Sequence, residues 1–431
     1  MNILISLVAA AALLTNLKGT DGNKAINTPV IYKEGDNPVA ESMLKKNLQR
    51  AGINTHIYEF FDPVVTPAPK GFKPVYISYY GRHGTRSDNW MKQYTYVTDI
   101  LHKADSLGIL TGAGDTLLAG AEVVRSAHND MNGRLLPHGQ KEQYMLASRL
   151  YRRYPSVFKK GSRYVRAESS TAPRCIVTMA CFMARLSSIQ PSLQYSMDTG
   201  EKYMAVISNT CSPEHKAATQ KMLDSLTRST ANDTVQIFRT LFTDPVKGKS
   251  LVRNIDIFQR NIWLVARISQ ASGFEYDLFK YLPFNVIYRW WDFYNRELYI
   301  RHGNSFEFGA ERMKATMPLV RDILIKADAA LAGNDIAADL KFGHDYPIMA
   351  MAGYFGLNGV GDRMSFDEIP YKWNDFNNVT FSSNLQIIFF RNRLGSVLVK
   401  FVYNDIERQL AGLVPFEGNY YRWEDVKTKF L

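Results

Sequence analysis

The chain has 431 residues, too many for one small core, so two lobes are the expectation. Hydrophobic residues make up 46% and charged residues 22%, an ordinary globular balance that excludes global disorder. The net charge of +11 favours acidic partners such as phosphate esters, but Lys and Arg are scattered rather than blocked, so nucleic acid is not an expected partner.

Ile3 to Leu17 is mostly apolar, too short to span a bilayer comfortably, and reads as the apolar core of a secretory signal over residues 1–20. That predicts a periplasmic or secreted protein with no stable membrane span. The proline-rich stretch from Phe61 to Pro74 reads as an extended arm. "VYISYY", Val75 to Tyr80, is a short β-branched and aromatic run, hence a strand, and stops at Gly81. "GRHGTR" follows on the loop leaving that strand, the place where active sites collect in open α/β sheets.

From Gly133 to Phe158 the later part reads as an amphipathic helix, with Tyr144, Leu146, Ala147 and Leu150 among its apolar positions. "SRYVRAES", Ser162 to Ser169, reads as a second strand. "STAPRCIVTMACFMARL" then opens with hydroxyl residues suited to an N-cap, followed by Pro173 in the first turn. Long helical patterns fill the next stretch, and Tyr288, Trp290, Trp291, Phe293 and Tyr294 read as the core of a helical lobe. Strand signals return at Ala338–Asp345, and "NLQIIFFRN" and "SVLVKFVYND" read as two strands joined tightly near Gly395. The fold class expected is α/β: a small core sheet flanked by helices, built from residues 21–186 and 338–431, with an inserted α-helical cap lobe at 187–337.

The three cysteines, Cys175, Cys181 and Cys211, form no C-x-x-C pair and are expected as small buried hydrophobes, with at most one disulfide among them. None of the eight histidines is spaced as H-x-H or H-E-x-x-H, so no metal site is written locally, and no cofactor is expected. G-x-x-x-x-G-K and G-x-S-x-G are both missing, which removes the nucleotide-loop and serine-hydrolase readings.

His83 stands between Arg82 and Arg86. Two guanidiniums make a fork-rich cationic loop suited to phosphate oxygens. Their charge also favours the neutral, nucleophilic imidazole, whose attack on phosphorus would give a phosphohistidine. Arg174, at a helix start after a strand, is a natural anion ligand, with Arg166 as its competitor. His344 and Asp345 sit at a strand end, where a His can donate to phosphate and a protonated carboxyl can serve the leaving alkoxide. A second Arg-His-Gly, at 301–303, has no following arginine and is preceded by aromatic helical material. His302 is therefore expected to be a bystander in the lobe or its exit, though able to line a cleft from above.

Together these segments resemble the histidine acid phosphatases, the two-lobed clade of the histidine phosphatase superfamily. The match covers roughly residues 60–431: Arg82-His83-Gly84-Thr85-Arg86 for the R-H-G-x-R-x-P hallmark, with Asp88 in place of its proline, "GRLLPHGQKEQ" for the following segment, Arg174, and His344-Asp345. The resemblance implies His83 as nucleophile, Asp345 as general acid, and Arg82, Arg86, Arg174 and His344 as phosphate ligands, with no metal. Bacterial relatives of the multiple inositol polyphosphate phosphatases look similar around "TPAPKGFKPVYISYYGRHGTR", but carry His-Ala-Glu where this chain has His-Asp-Tyr. The implied activity is a phosphomonoesterase working at acidic pH on small anionic phosphate esters, phytate among them. A broad acid phosphatase, a phosphotransferase or an inactive anion binder are the alternatives.

Overall fold

The computed structural model describes residues 35–88, 91–159, 164–227, 235–272, 277–333 and 335–431. The expected signal segment lies outside these. One sheet organises the chain: β1 (Lys73–Arg82), β2 (Tyr164–Ser169), β3 (Gln194–Thr199), β4 (Ile336–Gly343), β5 (Asn384–Arg391), β6 (Val397–Tyr403), β7 (Ile406–Arg408) and the short β8 (Tyr421–Arg422). The order is β3-β2-β4-β1-β5-β6-β7, with β8 beside β6. The first four strands are mutually parallel, whereas β5 and β6 run antiparallel as a hairpin. Gly395 turns that hairpin at a φ of +89°, a conformation glycine adopts without a Cβ penalty.

The central parallel strands β1 and β4 are buried on both faces, as crossover topology favours, while the edge strand β3 is largely exposed. Tyr76 and Tyr80 of β1 pack on one side with helices Gly309–Gly333, Asp345–Phe355 and Trp423–Phe430. Ile77 and Tyr79 pack on the other with helices Pro137–Arg153 and Pro173–Ile189. The result is a three-layer α/β/α core. In the helix from Pro137, Leu146, Ala147 and Leu150 face inward as expected, but Tyr144 is exposed.

β1 runs two residues beyond its expected end, because Gly81 and Arg82 pair with Phe342 and Gly343 of β4. Arg82 is thus a strand residue, and only His83 onward belongs to the loop. The helix at Pro173 is capped by Ala172 with no side-chain bond, so the expected hydroxyl N-cap is not used. Pro173 at the first position needs no N–H partner and supplies the helical φ instead.

A second apolar cluster joins helices Met91–Ser106, Gly112–His128, Ile255–Ser269 and Phe284–His302. Tyr288, Trp290 and Trp291 lie buried within it, and Phe293 and Tyr294 pack against it. The helical lobe therefore gathers chain from both sides of 187. Gln194–Thr199, inside the expected cap range, pairs with β2 in the sheet, and helix Gly309–Gly333 packs on the sheet rather than in the lobe. Hydrophobic runs report burial but not which of two cores receives them, so the range 187–337 mixes the two. All three cysteines are buried and unpaired. Among the described residues no helix is long and apolar enough to cross a membrane.

Candidate active site

The carboxyl ends of β1, β2 and β4 meet at one place. From β1 come Arg82 and His83; from β4, His344 and Asp345; and the helix that follows β2 brings Arg174. Ligands of open α/β sheets bind at this edge. Two helix N-termini, at Pro173 and Asp345, neither capped by its N-cap side chain, favour negative charge there.

His83 is 3% exposed, and its backbone N–H donates to Gly343 on β4. Its Nδ1 lies 3.0 Å from the Gly84 carbonyl. A carbonyl only accepts, so Nδ1 carries the proton and Nε2 keeps its lone pair. Burial, then Arg82, Arg86, Arg174 and His344, push the imidazole well below its usual range. His83 is therefore a neutral, oriented imidazole with the Nε2 lone pair available.

The loop after it is held by close backbone packing. A Cβ on Gly84 would lie 2.7 Å from the Gly139 carbonyl, and one on Gly139 would lie 2.3 Å from that of Thr85. Both glycines serve this contact, which gives the third letter of Arg-His-Gly a structural purpose beyond ligand access. Glu142, one turn on from Gly139, accepts from the Thr85 amide (2.9 Å) and hydroxyl (2.8 Å) and from the Ser382 hydroxyl (2.6 Å). Sequence reasoning did not single out Glu142, although it lies in the recognised "GRLLPHGQKEQ" segment. Asp88, where the hallmark has proline, pairs with Arg267 at 3.3 Å and so ties the loop to the helical lobe.

Arg82 is 1% exposed; its Nη1 donates to the carbonyls of Asn54 (2.7 Å) and Val379 (3.1 Å), and its Nη2 meets Asp345 at 3.1 Å. Arg174 reaches to 3.4 Å from His344 Nδ1. Because arginine donates, Nδ1 accepts, and Nε2–H of His344 donates to the Ser170 hydroxyl 3.1 Å away. Burial and then Arg174 push His344 down to about 4. Arg166 does not join this group: it makes a two-pronged bond to Asp339 at 2.6 and 2.8 Å. Arg82, Arg86 and Arg174 each retain a buried Nε–H with no acceptor in the protein. Three orphaned guanidinium donors around one imidazole suit a multiply charged oxyanion.

Asp345 accepts from Asn54 Nδ2 (2.7 Å), Arg82 (3.1 Å) and the Tyr346 amide (3.0 Å). Burial opposes its charge, yet Arg82, His302, His344 and the Asn54 bond outweigh it and hold the carboxyl well below the usual carboxylate range. Asn54 also lacked any sequence signal. His302 is not remote. Its ring lies 5.7 Å from that of Tyr346, which stacks on His344 at 5.4 Å, and when protonated it acts on Asp345. Burial pushes His302 down to about 4. The second Arg-His-Gly thus faces the site from the lobe.

No family model matches the chain, and no curated protein matches it. Solved structures do. The multiple inositol polyphosphate phosphatase of Bifidobacterium longum, in complex with inositol hexasulfate, has a TM-score of 0.68 at 15% identity, over 89% of this chain and 97% of that one. A phytase from D. castellii has a TM-score of 0.62 at 14% identity, over 89% and 84%. Hafnia alvei phytase in complex with tartrate has 0.53 at 13%, over 84% and 97%. The fold of this chain is that of the histidine acid phosphatases.

Proposed function

We propose that the protein is a phosphomonoester hydrolase that works through a phosphohistidine at His83 and acts on anionic phosphate esters, inositol polyphosphates among them. The observation that carries this is the neutral His83 set among Arg82, Arg86 and Arg174, each with a buried donor left over. Nε2 of His83 forms the bond to phosphorus while the ester P–O bond breaks, and the arginines hold the equatorial oxygens. A proton from Asp345 goes to the leaving alkoxide. Water then attacks the phosphoryl group, gives its proton back to Asp345, and frees phosphate and His83.

The fold shared with phytases and an inositol polyphosphate phosphatase supports that substrate class, as does the net charge of +11. Asp345 is ionised in the free protein, so the acid must be made on binding. A phosphate dianion beside it competes for Arg82 and adds like charge, and both raise the carboxyl's pKa. The reading predicts best turnover at acidic pH. Phosphate release from phytate and from a simple phosphomonoester, measured across pH for the wild type and His83→Ala, tests it. Release by the wild type alone is expected; a variant that keeps most of the activity would refute the mechanism. A periplasmic or secreted location is part of this proposal and rests on the apolar run at Ile3–Leu17.

A further inference from the structure

We propose that Asn54 is a positioning residue for the reaction: its side chain holds the acid, Asp345, while its backbone carbonyl holds the phosphate ligand, Arg82. The inference rests on the hydrolase reading above. Its amide donates to Asp345 Oδ2 at 2.7 Å, the same oxygen that meets Arg82 at 3.1 Å. The backbone carbonyl of the same residue accepts from Arg82 Nη1 at 2.7 Å. Asn54 therefore closes a ring with the ion pair and adds a second donor to Oδ2, while the Tyr346 amide holds Oδ1 at 3.0 Å.

The backbone before it is set up for this. Ile53 has a φ of 55° and ψ of −137°, a left-handed conformation that a buried β-branched residue avoids. Such strain persists only where surrounding contacts over-determine it, and it gathers at functional sites. Here Thr55 Oγ1 donates to the Gly52 carbonyl (2.6 Å) with the Arg267 carbonyl of the lobe 3.1 Å away, and the His56 amide donates to the Ile53 carbonyl (3.1 Å). The strained turn aims Asn54 at the sheet edge from a segment anchored in the lobe.

Asp345 is faced by Arg82 and Tyr80 of β1, Arg86 of the following loop and Tyr403 of β6. His302 approaches from the lobe, and His344 and Tyr346 flank it in sequence. Arginine charges are fixed across the working range, so the neutral Asn54 donor is the group whose removal changes the acid without changing its charged neighbours.

The test is the pH profile of kcat on an alkyl phosphomonoester, whose leaving group needs a proton, for wild type, Asn54→Ala and the isosteric Asn54→Asp. Losing a donor to the carboxylate should move the alkaline limb upward by about one pH unit in Asn54→Ala. A facing carboxylate in Asn54→Asp should move it further. A fall in rate with the limb in place, in both variants, would mean a merely structural role and overturns the proposal. If the wild type releases no phosphate, the hydrolase reading fails, and carbon-13 spectra of aspartate-labelled Asn54→Asp still decide the positioning claim. A carboxyl pair with one raised value supports it. Two ordinary carboxyls overturn it.

Discussion

The Asp345 carboxylate lies 3.1 Å from the Arg82 guanidinium, so in the free protein the expected general acid is an ion-paired base. On the proposed mechanism, the pair stores the acid in its wrong protonation state and leaves substrate to correct it. A phosphoryl group that draws Arg82 toward its own oxygens weakens the pair and raises the carboxyl at the moment a proton is needed.

Asp345→Asn removes the proton and leaves the shape. General acid catalysis contributes typically ~10²–10⁴-fold, and most where the leaving group is poor. Phosphate release from phytate should fall at least ~100-fold, while p-nitrophenyl phosphate, with its good leaving group, should lose far less. Equal losses on both substrates would take Asp345 out of the acid role.

Polyanion binding should strengthen as the pH falls. His344 and His302 are both held down to about 4, so from about pH 6.5 to 4 the unfolded chain binds protons that the folded chain refuses. Stability of the free protein then declines as the pH drops through that window. A bound anion offsets the arginine charges and lets the site histidines protonate, so it restores stability where it was lost. The rise in Tm on adding inositol hexasulfate, whose charge is fixed, should be larger at pH 5 than at pH 7.5. An equal rise would mean that these histidines do not face the ligand.

Arg174→Ala and Arg166→Ala should fail in different ways. The first removes a donor near His344 and should lower phosphate release with little change in Tm. The second leaves Asp339 buried with only Tyr76 bonded to it at 2.7 Å. Breaking a wholly buried pair costs roughly 3–5 kcal/mol; with 34% of the Arg166 side chain exposed, on the order of 2 kcal/mol is expected. Thermal unfolding read beside phosphate release separates the two arginines, and the reverse pattern would exchange their roles.

Gly139→Ala sets a methyl against the Thr85 carbonyl, where the ideal Cβ distance is 2.3 Å. The loop carrying His83 and Arg86 must shift, and a misplacement near 1 Å can cost ~100-fold in rate. The variant should stay folded and lose most of its turnover. Unchanged kinetics would show that the loop tolerates movement.

What could be read in advance was local. Arg82, His83 and Arg86 lie within five residues at the end of a β-branched run, so strand pattern and motif coincide. Arg174 was legible because Pro173 marks a helix start, and His344-Asp345 because an apolar strand ends there. Asn54 was not legible: it meets Asp345 across 291 positions and depends on a positive φ at Ile53 that no propensity favours. The place of His302 beside the site was legible only as a residue able to line a cleft from above, because its neighbours in sequence are lobe aromatics, while its neighbour in space is Tyr346. The lobe's extent was blurred for a related reason. Val97, Leu101, Leu117 and Val124 have the helical spacing of any core-facing helix, and only the packing shows that they join Trp263 and Trp291 rather than the sheet.

The most direct test of the whole account is to quench turnover of phytate under alkaline conditions, which spare phosphohistidine, and to locate the phosphoryl group by peptide mass spectrometry. The account predicts the phosphoryl group on His83 in the wild type, its accumulation if breakdown of the intermediate is slow, and none in His83→Ala. Phosphate release that continues in His83→Ala, or a phosphoryl group found on another residue, would contradict it.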